Sequence, residues 1–331
     1  MVSPHSQAGR GFIRRVLQLH NHAILARVGP VVIATYGPFM ALAFFVGFAC
    51  ASWYDLATGQ DAATKIRYYA FVLIPMVLLG ARLASMMLDF RKLLRSPVQA
   101  IVSPGYMLQG GILGGFLALW LYAWMSQTSL LAALDTAAFA VTVGEALGRV
   151  GCHVYGCCWG SRTDSLFAIR YINMHAKVLR FAPELYNIKI HPAPLYASFA
   201  LLGLFAIFVM TALHLPYSGM LAAIYLMVHP LLRLTLERFR ADDRGRLFGR
   251  FTHTNLYSLI MFVGGVWAFC GATLAQQKLG ADLADLRFAS PIELILTPLL
   301  TPWLVGTSVV GFLAFGVHVG KLGQWIAPKC E

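Results

Sequence analysis

Apolar residues gather in eight long runs, at about 31–53, 68–88, 104–125, 129–148, 194–213, 217–236, 254–274 and 292–318. A helix needs roughly 20 apolar residues to cross about 30 Å of hydrocarbon. The pattern therefore predicts an all-α fold, a polytopic membrane helix bundle of about eight transmembrane helices. No unit of roughly 20 to 50 residues repeats, as it would in a solenoid. The expected division is a basic amphipathic N-terminal segment over 1–29, a membrane domain over 30–275, and a polar connector plus one additional C-terminal transmembrane helix over 276–331. In the first segment Phe12, Ile13, Val16, Leu17 and Leu19 would face lipid while Arg10, Arg14, Arg15 and Arg27 meet headgroups. No apolar core ending in a small-residue cleavage site marks it as a signal peptide.

Composition agrees and excludes a soluble globular domain: 58% of the 331 residues are hydrophobic and 12% charged, with a mean hydropathy of +0.67. Ordinary soluble domains carry about a quarter charged residues. The basic residues are unevenly placed. Twenty of the 26 Lys and Arg fall in the N-terminus, 89–103, 150–193, 233–250 and the C-terminus, which share one side of an eight-span bundle. Lys65, Arg67, Lys278 and Arg287 fall on the other side, and Arg82 and Arg149 within spans. The positive-inside rule then places the N-terminus in the cytoplasm.

Polar residues within the runs obey the same geometry. Even runs carry theirs late (Arg82; Glu145 and Arg149; Arg233, Glu237 and Arg240). Odd runs carry theirs early (Tyr36; Gln109; His191 and Tyr196; His253 and Asn255). Neighbouring spans run in opposite directions, so all these positions share one end of the bundle. Charges in hydrocarbon cost at least about 2.5 kcal/mol each near mid-bilayer and face an interior or a water-filled cavity. One polar chamber, opening toward the side with the basic loops, is the expected arrangement.

The densest chemistry is GEALGRVGCHVYGCCWG, residues 144–160. Glu145 precedes Arg149 by four residues, the favourable order for an ion pair on one helical face. Gly144, Gly148, Gly151, Gly156 and Gly160 suit close packing or sharp turns, and a glycine-rich exit beside an arginine also suits an oxyanion. Gly110 and Gly111, after Gln109, raise the same alternatives, with close helix packing the plainer one. Cys152, Cys157 and Cys158 beside His153 lack the two separated C-x2-C pairs of common metal sites and the C-x-x-C of thiol exchange. Packing around a polar turn is the role their spacing favours, with no metal. The six cysteines define no disulfide framework, since Cys50 and Cys270 lie in apolar runs.

The stretch Gly148-Arg149-Val150-Gly151-Cys152-His153-Val154-Tyr155-Gly156-Cys157 resembles the Gly-Arg-x-Gly-Asn-Phe-x-Asn-Gly-Glu signature of the prolipoprotein diacylglyceryl transferases. Tyr36-Gly37, Gly80-Ala81-Arg82, Gly110-Gly111, Asp135, His191-Pro192 with Leu195-Tyr196, and Glu237 with Arg240 resemble further motifs of that family in the same order. The departures concentrate where chemistry is expected. Gln109 stands for a histidine, Cys152 and Tyr155 for asparagines, Cys157 for a glutamate and Pro194 for a glutamine.

The resemblance implies transfer of a diacylglyceryl group from phosphatidylglycerol, or another anionic phospholipid, to a cysteine thiol or a different acceptor, with release of glycerol phosphate. It implies a multi-pass protein of the bacterial inner membrane, with a lipoprotein precursor as partner, no nucleic acid and no cofactor. Arg149 and Arg240 are the expected phosphate clamps, since a guanidinium offers paired donors in fixed geometry, with Arg82 as a third. Gln109 can donate a hydrogen bond but not take a proton near neutral pH, so the base would be His191 or His153. Tyr36, Gly110, Gly111, Glu145, Gly151, Tyr196 and Glu237 would complete the substrate site. The competing classes are an anionic-lipid binding or transport protein without catalysis and a thiol redox or metal enzyme. The family has seven spans and an outward-facing site, whereas the charge count puts this chamber in the cytoplasm.

Overall fold

The computed structural model describes residues 22–29, 31–88, 94–95, 107–211, 214–215, 217–241, 246–248, 251–275 and 298–319. The expected amphipathic stretch 10–19, most of 89–103, the polar stretch 276–290 and Cys330 lie outside the described residues. Eight long helices answer the eight apolar runs. They are α1 (Tyr36–Ala57), α2 (Ala62–Tyr68, a π turn Tyr69–Leu73, then Ile74–Leu88), α3 (Leu108–Met125), α4 (Leu130–Tyr155), α6 (Ala193–Thr211), α7 (Met220–Glu237), α8 (His253–Ala275) and α9 (Thr301–Gly316), with a short α5 (Lys177–Phe181) between α4 and α6. Six are long and apolar enough to cross a membrane. The 18-residue α3 carries no charge, and the 16-residue α9 reaches about 24 Å at 1.5 Å per residue.

The ends of the first and last runs depart from expectation. Ile24–Val28 and Val31–Ala34 form a β hairpin, β1 and β2, rather than an amphipathic segment and the start of span 1. Gly29 takes φ +56 at its tip, and the flanking β-branched residues favour an extended chain. Helix α9 is described from Thr301, the expected start at 292 lying outside the described residues, and stops at Gly316, where β5 (Val317–Val319) pairs antiparallel with β2. That pairing joins the beginning of α1 to the end of α9, so the chain between them crosses an even number of times. Gly37 and Gly316 make the join possible: a Cβ on Gly37 would lie 2.7 Å from the Gly316 Cα. Span 8 is thus packed along α1 as part of the bundle. A further short hairpin, β3 (Arg246–Phe248) with β4 (Phe251–Thr252), precedes α8.

Helix α4 is the central element. It packs on α1, α6 and α7, while α2 pairs with α3 and α7 with α8. Phe139 of α4 anchors an aromatic core with Tyr54 at 5.3 Å and Phe205 at 5.1 Å. Asp135, buried in α4, accepts backbone N–H bonds from Gly219 (2.6 Å) and Ala222 (2.8 Å) and so caps α7 from a neighbouring helix. At the end of the bundle away from Tyr36, Lys65 is 1% exposed and donates to Asp55 at 2.6 Å, where Thr136 also bonds. Lys65 is therefore a bundle residue of α2, not part of an exposed loop.

Residues 157–192 fold into a small cap at the Tyr36 end. Its core is built from Ile169, Tyr171, Val178, Leu179, Leu185 and Ile190, closed by Ala23 ahead of the hairpin. The Tyr171 hydroxyl ties it to the bundle by donating to the His153 carbonyl at 2.8 Å.

Candidate active site

A narrow cleft lies among α4, α6 and α7, close to the cap. Each helix contributes one face at helical spacing: Glu145 and Arg149 from α4; Ala193, Ala197 and Ala200 from α6; His229, Arg233 and Leu236 from α7, continued by Arg240. The alanines of α6 make the space, since larger side chains there would fill it. Arg149 donates two bonds to Glu145 Oε1, its Nε at 3.2 Å and its Nη2 closer. The other carboxylate oxygen, Oε2, meets His229 Nε2 at 2.9 Å. Glu145 is thereby held from two helices and keeps the Arg149 guanidinium turned toward the cleft with donors to spare. Tyr225 lies against the His229 ring at 5.0 Å between centroids and fixes its plane.

The cap meets the cleft at Arg240. Arg240 pairs with Gly160 as a β-bridge, and Ser161 N–H donates to the Phe239 carbonyl at 2.9 Å. Phe239 stands edge-on to both His191 (5.2 Å) and Tyr196 (5.5 Å), and His191 Nδ1 lies 3.2 Å from the Tyr196 hydroxyl. Gly160 is required here, because a Cβ would come within 2.3 Å of the His191 carbonyl oxygen. His191 and Tyr196 are thus joined through Phe239 to Arg240, and all three are half-buried.

The glycine-rich stretch is not an exit loop. Helix α4 continues to Tyr155, seven residues past the end expected for span 4, because Gly148 and Gly151 let it lie against α1. A Cβ on Gly151 would meet the Tyr36 ring at 2.9 Å. The helix ends only at Gly156, whose φ of +76 makes the left-handed cap that accompanies bonds from Gly156 and Cys157 N–H back to the Cys152 carbonyl. Beyond it Cys158 also adopts a positive φ, +60, and the three sulfurs of Cys152, Cys157 and Cys158 come to lie within 4.8 Å of one another. Contact with Cys152 and Cys157, aided by the charges of Arg240 and Arg149, lowers the pKa of Cys158, whereas contact with Cys152 and Cys158, then burial, raises that of Cys157. Burial, reinforced by the same thiols, pushes the Tyr171 phenol well above its usual range.

The chain matches the family model described as prolipoprotein diacylglyceryl transferase over residues 23–270, which takes in α1 to α7, most of α8 and the whole cleft. It belongs to the prolipoprotein diacylglyceryl transferase family. Among curated relatives, one from Pseudoalteromonas translucida (strain TAC 125) is 30% identical over 265 residues, covering 76% of this chain and 94% of that protein. One from Legionella pneumophila (strain Corby) is 28% identical over 252 residues, 72% and 92% of the two chains. One from Clostridium tetani (strain Massachusetts / E88) is 26% identical over 195 residues, 58% and 74%. All three are phosphatidylglycerol–prolipoprotein diacylglyceryl transferases by name. This chain is accordingly a multi-pass membrane protein of a transferase family.

Of the residues expected at the site, the structure brings Glu145, Arg149 and Arg240 into one cleft, with His191 and Tyr196 joined to Arg240 through Phe239. Tyr36 packs against the end of α4, 6.0 Å from the Tyr155 ring. Glu237 ends α7, its carbonyl accepting from Arg240 N–H at 3.2 Å. Gln109 and Arg82 do not line this cleft; they sit on the α2–α3 pair. Gly110 has a packing role, since its Cβ would lie 2.1 Å from the Gly80 carbonyl oxygen, and Gly111 makes ordinary contact with Val77 and Ala81. His153 is 1% exposed under the cap, away from the cleft. His229 was not anticipated. The available signal was an ionisable residue in the middle of an apolar run, one turn before Arg233.

Proposed function

We propose that this protein transfers the diacylglyceryl group of phosphatidylglycerol to a cysteine thiol in a bacterial cytoplasmic membrane. The observation that carries the reading is the convergence of Arg149, Arg233 and Arg240 on one cleft, with Arg149 oriented by Glu145. A phosphodiester leaving as glycerol phosphate keeps its negative charge and gains more as the C–O bond stretches. Fixed guanidinium donors stabilise that charge more in the transition state than in the bound lipid. Arg149 and Arg240 take this role, and Arg82, outside the cleft, does not.

Bond making requires a thiolate. Gln109 does not titrate, and His153 is buried, so His191 is the side chain at the mouth that accepts the thiol proton, with the Tyr196 hydroxyl orienting its ring. The sulfur then attacks the terminal glyceryl carbon, the C–O bond to phosphate breaks, and the electron pair leaves on glycerol phosphate. The membrane domain 30–275 carries this chemistry, and α9 clamps α1 beside it. The side on which the cleft opens selects the acceptor, an exported lipoprotein precursor or a cytoplasmic protein.

The test is incubation of purified protein in phosphatidylglycerol vesicles with a cysteine-containing lipobox peptide. Peptide mass increased by one diacylglyceryl group, together with released glycerol phosphate, is the expected result. Tight phosphatidylglycerol binding with neither product would instead make the protein a lipid binder on this fold.

A further inference from the structure

Cys152 and Cys157 stand where the family signature carries an asparagine and a glutamate at the end of the fourth helix, Cys158 follows directly, and the fold gathers all three. Cys152 is on the last turn of α4, Cys157 directly follows its Gly156 cap, and the left-handed backbone of Cys158 belongs to the same tight turn. Their sulfurs lie within 4.8 Å of one another, and none of the three is in a disulfide. A tetrahedral cation with metal–sulfur bonds of about 2.3 Å needs its sulfurs about 3.8 Å apart, a contraction that small side-chain rotations supply. Three thiolates around a divalent ion leave one negative charge, and the positive charges of Arg149 and Arg240 act on this cluster. No fourth His, Cys, Asp or Glu joins the group among the described residues.

We propose that Cys152, Cys157 and Cys158 bind a soft d10 cation, Zn(II) foremost, as three thiolates with one coordination position open, and that this position takes the acceptor thiol. Soft thiolate sets select such ions, and three protein ligands with an open fourth position characterise catalytic rather than structural zinc. A thiol coordinated to such a cation is deprotonated outright. The proton passes to His191 or to water, leaving a metal-bound thiolate next to the arginines that hold the phosphate. The sulfur then forms its bond to the glyceryl carbon while the C–O bond breaks onto phosphate, and the thioether, a weak ligand, leaves the metal. No electrons are gained or lost by the cation. The site would supply the thiolate that a non-titrating Gln109 does not. The acceptor role rests on the transfer reading above, whereas metal binding does not.

The experiment is metal titration of the full-length protein in detergent, reduced and then loaded with Zn(II) or with Co(II) as an optical probe. One equivalent of metal is expected, with thiolate-to-cobalt charge-transfer absorption that grows when a cysteine peptide is added and stays constant with its serine counterpart. Replacing Cys50, Cys270 and Cys330 by serine should leave this unchanged. Cys158→Ser alone, the mildest disruption, should weaken binding at least tenfold and remove one sulfur from the metal shell. Failure to bind either ion with all thiols reduced, or binding that survives Cys152→Ser/Cys157→Ser/Cys158→Ser, would overturn the site. Metal binding without any response to the cysteine peptide would overturn the open position. Metal and thiol binding in a protein with no transferase activity would leave the site standing and refute the transfer reading instead.

Discussion

Glu145 and His229 meet across the α4–α7 interface, Oε2 to Nε2 at 2.9 Å, while the other oxygen of the same carboxylate holds Arg149. One carboxylate thus connects two helices and aims the cation that defines the cleft. In His229→Ala the carboxylate loses its second restraint, so Arg149 keeps its charge but not its direction. Turnover should fall severalfold to tenfold with the fold retained, whereas Glu145→Ala should fall further because a partly buried arginine loses its counter-ion. Initial rates beside thermal unfolding curves separate the two effects, and wild-type rates in both variants would show that the pair only joins helices.

Arg149→Ala should lower transfer sharply, and Arg240→Ala should lower it less. A charge-assisted contact to phosphate contributes about 1.5–3 kcal/mol, roughly ten- to 150-fold. Arg149→Lys should recover only part of the loss, because an ammonium lacks the paired donors. Phosphatidylglycerol titration of each variant reads the binding share, and turnover reads the rest.

Stability should depend on a pair remote from the cleft. Lys65 and Asp55 are both essentially inaccessible, and removing one partner of such a pair costs about 3–5 kcal/mol by stranding the other charge. Lys65→Met should therefore lower the midpoint of thermal unfolding sharply, while Asp55→Leu with Lys65→Met should restore most of it. An unchanged midpoint in the single variant would mean that water reaches Asp55.

Gly316→Val would place side-chain atoms where the Gly37 Cα now sits, 2.4 Å from the new Cβ. Overpacking of this kind typically costs about 1–3 kcal/mol. The expected signature is loosening of α9 and the β2–β5 pairing, seen as faster proteolysis after residue 298 with α1 to α8 intact. Equal protease resistance would mean that α9 is held by other contacts.

Orientation has its own test. By the positive-inside rule the basic residues of 150–193 and 233–250 predict a cytoplasmic cleft, so an alkaline phosphatase fusion within 126–128 is expected to be active and one within 162–180 silent. The reverse pattern would show that the arginines reflect the site and the cap, and would make an exported lipoprotein precursor the acceptor.

Sequence alone determined the bundle, the number of its helices and the end at which its polar residues collect, because hydrocarbon fixes both the length and the apolarity of anything that crosses it. It also marked Arg149, Arg240 and Glu145, since charges are conspicuous in such a chain. Several features lay beyond it. The β2–β5 pairing that binds the last helix to the first joins segments nearly three hundred residues apart, and nothing local announces it. Lys65 reads as a loop cation until Asp55 is seen beside it. His229 acquires a role only from α4, and Gln109 and Arg82 leave the cleft because Gly80 and Gly110 draw α2 and α3 into a pair of their own. Most telling are the cysteines: their spacing fits no common ligand pattern, yet a helix end, a left-handed glycine and a left-handed Cys158 bring their sulfurs together. Spacing along a chain measures distance only while the secondary structure stays regular, and this cluster forms where α4 stops.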